Sequence, residues 1–158
     1  RRNAAGAKLN EGKIYRGLGD TDTALRLANE ALKIKQIIAA EDSNNQEIKL
    51  DLKESYEDIA FAYLKRGEIN SATANFDKAV ELNEQLLAKD AENFDFWLAR
   101  LKGEQSWANA LLERGEKERA KQTYEKALQI AETKAPKKFA DFTARYKSEI
   151  NESVQKCR

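Results

Sequence analysis

Three glycines, Gly19, Gly67 and Gly115, lie 48 positions apart and carry matching neighbours. Each is followed by an acidic residue: Asp20, Glu68 or Glu116. Five residues after each glycine stands an alanine: Ala24, Ala72 or Ala120. Seven residues further on stand Ala31, Ala79 and Ala127, each before an aliphatic residue. Ala28, Phe76 and Tyr124 fall between the alanines. A fixed period of this length marks an array of like units. Glycine just past a helix end adopts the left-handed conformation that satisfies the last free carbonyls. The acidic residue then meets the positive N-terminal end of a second helix. Alanines let that helix lie close against the first, and the larger Phe76 and Tyr124 fill the remaining space. Each unit is therefore expected to be a helical hairpin.

The apolar periodicity predicts seven helices, at about 3–18, 21–41, 45–66, 69–89, 92–114, 117–134 and 137–156. They group into units at about 1–42, 43–90 and 91–135 of a single domain spanning 1–158. The links between hairpins correspond too, Glu41 to Asn45 paralleling Lys89 to Asn93. Pro136 suits the first turn of the last helix. That helix, at about 137–156, repeats the pattern of Trp97 to Glu104 but lacks a partner. It is expected to cap the open end of the array, which would otherwise expose its core.

Seven glycines and one proline suit an all-α chain, because both residues break helices. The 28 basic and 27 acidic residues nearly cancel, which argues against a dedicated nucleic-acid surface. With no histidine and one cysteine, Cys157, the usual zinc sites and the histidine-dependent nucleophiles are excluded. No metal and no cofactor is expected. Gly17-x-Gly19 lacks the rest of a dinucleotide fingerprint. Asp20 to Thr23 reads as a helix N-cap rather than a calcium loop, since Ala24 holds a ligand position. No apolar run is long enough to span a membrane. The lone cysteine suits a cytoplasmic protein. The sequence contains no methionine, even at position 1, so a piece of a longer protein is expected.

Tyr56-x-x-Ile59-Ala60-x-x-Tyr63 followed by Ala72-x-x-x-Phe76-x-x-Ala79 resembles the tetratricopeptide repeat (TPR). Trp107-Ala108-x-x-Leu111 with Ala120-x-x-x-Tyr124-x-x-Ala127 is a second match. Gly12-x-x-Tyr15 with Ala24-x-x-x-Ala28-x-x-Ala31 is a third, with Lys8 and Glu11 where large apolar residues belong. The 48-residue period exceeds the roughly 34 of the standard unit, as in long-repeat arrays of the family. The resemblance implies a right-handed α-α superhelix of three hairpins plus the capping helix, acting as a scaffold rather than an enzyme.

It further implies a concave groove that takes a protein or peptide segment. The groove positions are Leu9, Lys13 and Arg16 in the first unit, and Glu57, Phe61 and Leu64 in the second. In the third they are Lys102, Gln105, Asn109 and Leu112. Phe61 and Leu64 sit off the core stripe. They either anchor an apolar side chain of a partner or pack against neighbours such as Leu98 and Leu112. Glu57 stands where a clamp for a terminal carboxylate would need a lysine, although Asn109 fits such a clamp. Trp107 occupies the core column of Ile59, whereas Trp97, near a helix start, is expected to be more open. Two other roles stay open: structural docking, as a homodimer or against another part of a longer protein, and sensing of signalling peptides.

Overall fold

The computed structural model describes residues 1–157, and among these there are helices and no strand. The helices are α1 (Arg2–Leu18), α2 (Thr21–Glu41), α3 (Gln46–Arg66) and α4 (Ile69–Lys89). They continue as α5 (Phe94–Glu113), α6 (Lys117–Thr133) and α7 (Ala140–Gln155). A short 3-10 turn, Lys137–Phe139, precedes α7. The last helix thus starts later than the sequence predicts. Pro136 is extended at φ −58° and ψ 139°, so it introduces the 3-10 turn and not the α-helix.

The glycines end helices for the reason the sequence gives. Gly19, Gly67 and Gly115 have φ of 91°, 81° and 80°, a region that costs other residues strain. At Gly67 the Glu68 N–H reaches back to the Tyr63 carbonyl at 3.0 Å. Glu116 does the same to Leu111 at 2.9 Å. These bonds close the last turn. The starts of α2, α3 and α5 are capped as well. Asp20 accepts from the Thr23 N–H, Asn45 from Ile48 and Asn93 from Phe96. The two links between hairpins are near copies: Asp42 accepts from the Asn45 side chain, and Asp90 from Asn93, each at 3.3 Å.

The chain forms two compact units, one of Arg1–Leu86 and a second from Leu87 onward. In the first, α1 packs on α2 and α2 on α3. Its core includes Leu9, Ala28, Ala31, Leu52 and Ile59. Gly12 permits the close approach of α1 to α2: a β-carbon there would lie 3.3 Å from the Ala24 carbonyl oxygen. In the second unit α5 packs on α6 and α6 on α7. Leu101, Tyr124, Tyr146 and Ile150 are almost wholly covered. The Tyr146 hydroxyl donates to the Leu101 carbonyl at 2.7 Å, which satisfies a group that would be costly to bury alone. Phe94 meets Phe139 and Phe142 edge-on, with ring centroids 5.1 and 5.3 Å apart.

The alanine columns are the contact surfaces. Ala24, Ala31, Ala72, Ala79, Ala120 and Ala127 are all buried. Phe76 and Tyr124 are buried between them. Trp107 is in the core as expected. Trp97 is not open: it is buried, and its indole N–H donates to the Ala91 carbonyl at 2.8 Å. A tryptophan near a helix start can turn back to the preceding link, which periodicity alone does not reveal.

Candidate functional site

A cleft of about 520 Å³ runs between α1 and α3 in the first unit. Asn3, Gly6, Leu9, Asn10 and Lys13 of α1 form one wall, with Asp51 and Glu54 of α3 facing them. Lys35 of α2 contributes from between. The positions on α1 recur every three or four residues, so they share one helix face. Gly6 leaves open space in that face, with nothing within 4 Å of where a β-carbon would stand. At one end Arg2 hydrogen-bonds both Asp51 and Glu47, tying the start of α1 to α3.

Beyond the cleft the two helices are joined by a polar contact. Asp58 of α3 is buried, and its carboxylate accepts from Arg16 at 2.8 Å. Lys13 Nζ lies 3.3 Å from the other carboxylate oxygen. The Arg16 guanidinium also sits 5.5 Å from the centroid of the Phe61 ring, in cation–π range. Lys65 donates to the Arg16 carbonyl. Two bases from α1 therefore converge on one buried acid of α3.

The expected groove residues separate into groups. Leu9 and Lys13 line the cleft, although Leu9 is nearly covered. Arg16 and Phe61 meet at the Asp58 contact. Glu57 turns instead to Lys53, at 2.8 Å, and burial pushes its carboxyl above the ordinary range. Leu64, placed among the groove positions with packing against neighbours left open, is 2% exposed and stands in the core, which corrects the groove assignment in favour of packing. The reason is that α3 is covered on more than one face, so an apolar residue off the first stripe belongs to a second buried one.

The third-unit positions lie in the second compact unit. Lys102 and Gln105 both donate to the Glu149 carboxylate of α7, at 3.0 and 3.3 Å. The Lys102 bond chiefly holds that carboxyl below its usual range. Asn109 accepts from the Tyr124 hydroxyl, and Leu112 is half-buried. Lys102, Gln105 and Asn109 are thus engaged with other parts of their own unit.

Several buried polar groups escaped the sequence reading. Lys35, Asp58, Arg100 and Glu104 are all at least nine-tenths covered. Arg100 and Glu104 pair at 2.5 Å, and Lys126 adds a contact to Glu104 at 3.3 Å. A signal was present for Lys35: it continues the buried stripe of Ala24, Ala28 and Ala31 at helical spacing.

The architecture defines an all-α helical repeat protein. Two tetratricopeptide repeat family models match the chain, one over residues 54–90 and the other over 5–37 and 108–134. Each matched segment straddles one of the three glycines. The chain belongs to the tetratricopeptide repeat family. Repeats of this family generally mediate protein–protein interaction and are typically non-catalytic scaffolds. No curated protein matches the chain. Among the described residues no helix is long and apolar enough to cross a membrane.

Proposed function

We propose that the chain recruits a partner protein by holding an extended segment of it in the cleft between α1 and α3. The observation that carries this reading is the cleft itself: an open trough walled by the two first helices of successive hairpins. Two of its wall residues, Asn3 and Asn10, make no side-chain hydrogen bond among the described residues, so their carboxamides are available to a peptide main chain. A carboxamide both donates and accepts, as a peptide backbone requires. The scaffold needs no chemistry of its own. Its contribution is a preformed surface, which spares the complex part of the ordering cost of binding. A single site of this kind binds in the micromolar range, about −8 kcal/mol.

Gly6→Leu tests the reading. The new side chain grows into the open space of the cleft, and leucine is a better helix former than glycine. Peptides selected from a random display library on the whole chain should bind this variant at least tenfold more weakly, with helicity unchanged. Undiminished binding would move the contact to another face.

Self-association is a second reading, favoured by one observation. Ile14 and Leu18, one turn apart on α1, are 64% and 76% exposed. Exposed apolar pairs of this kind mark contact surfaces when they are contiguous. Light scattering across a concentration series separates the two readings, because only this one requires the mass to rise.

A further inference from the structure

We infer that Lys35 is the docking point for an acidic side chain carried within the bound segment. The inference rests on the cleft between α1 and α3 being the peptide site. Lys35 projects from the inward side of α2 and is 2% exposed, yet it forms part of the cleft wall. Its ammonium donates to one partner, the Asp51 backbone carbonyl at 2.7 Å. An ammonium carries three donors, and a charge taken out of water needs a counter-charge. Lys35 has none within ion-pair distance. The Asp51 carboxylate is taken by Arg2, and that of Asp58 by Arg16 and Lys13. Glu54, on the facing wall, makes no ion pair. Burial accordingly pushes the Lys35 ammonium below its ordinary pKa, while Asp51, Glu54 and Asp58 act against that from farther off.

The rest of the wall selects the ligand. Of the three bases in the wall, Arg2 is paired with Asp51 and Glu47 and Lys13 with Asp58, so Lys35 alone among them lacks a carboxylate partner, which suits a monoanion. A dianion such as a phosphate would meet both acidic side chains. Asn3 and Asn10 lie seven residues apart, about 10 Å along the helix. They offer hydrogen bonds to main chain at two places, with the open notch of Gly6 between them. That arrangement fits a chain that continues along α1, so the carboxylate comes from an internal aspartate or glutamate rather than from a chain end.

The test uses the whole 15N-labelled chain and three short alanine-based peptides followed by NMR titration. One is capped at both ends with a central glutamate, one is its glutamine twin, and one is neutral except for a free C-terminal carboxylate. The capped glutamate peptide should bind about tenfold more tightly than the glutamine twin, the ratio a charged hydrogen bond supplies. Lys35→Met keeps the buried stem and should erase that preference. Glu54→Gln, at an exposed position, should increase it. Equal binding of the first two peptides would overturn the role of Lys35 and leave the cleft as a peptide site. Binding of the free-carboxylate peptide alone would replace the internal acid by a chain end and overturn the inference. If none of the three binds, the cleft reading fails and this inference falls with it.

Discussion

Replacing Asp58 by asparagine removes the charge on which Lys13 and Arg16 converge. The Asp58 side chain is 10% exposed, and its bond to Arg16 is 2.8 Å. Net worth for a hydrogen bond to a charged partner is about 1.5–3 kcal/mol. The two bases are only partly covered, at 26% and 43% side-chain exposure, so they regain water when the acid is lost. That keeps the cost below the roughly 3–5 kcal/mol of breaking a fully buried pair. Asp58→Asn should therefore destabilise by about 2 kcal/mol, which for a chain of this size lowers Tm by about 4–8 °C. Urea unfolding followed by circular dichroism measures it. A double-mutant cycle with Arg16→Gln isolates the pair, and its coupling should exceed about 1 kcal/mol. A coupling within about 0.3 kcal/mol of zero would mean that the contact contributes nothing and that packing and the Arg2 and Lys65 contacts fix α1 on α3.

Three further predictions concern packing and pH. Phe76→Ala should cost about 3–5 kcal/mol, since Phe76 is 4% exposed; a loss below about half a unit in thermal or urea unfolding would contradict its burial. Ala60→Leu should cost about 1–3 kcal/mol by overpacking a fully covered position, and an unchanged Tm would refute the register of α3. Glu149 is held below its ordinary pKa by Lys102 and then Gln105. Its contact therefore stabilises the folded chain above the usual carboxylate range and is lost as pH falls through the lowered value. Amide protection in α7, measured relative to the intrinsic exchange rate at each pH, should fall on going from about pH 6 to about pH 3 more in the native chain than in Glu149→Gln. An identical loss of protection in both would assign the effect to other carboxylates.

Much of the fold is legible from local chemistry. A glycine that ends a helix announces itself, because the left-handed conformation leaves few alternatives. Asp20 as a cap and the alanine columns follow from equally local rules. The side chains that matter for the site were harder to place. Leu64 and Phe61 both fall off the main stripe of α3, yet one is core and the other half-exposed. Their difference depends on which neighbours cover the second face, and helical spacing carries no record of that. Lys35 shows the converse. Its spacing places it inward, but a lysine at an inward position is easily read as a solvated surface residue. Lys102 and Gln105 were legible as hydrogen-bonding positions, whereas their engagement by Glu149, 44 or more residues away, is a product of tertiary packing.

The most direct test of a partner segment lying between α1 and α3 is a photo-crosslink from within the cleft. Benzoylphenylalanine placed at position 10 should couple to a bound partner peptide. The same group at position 33, on the exposed side of α2, should not. Crosslinking from position 33 alone would contradict the account.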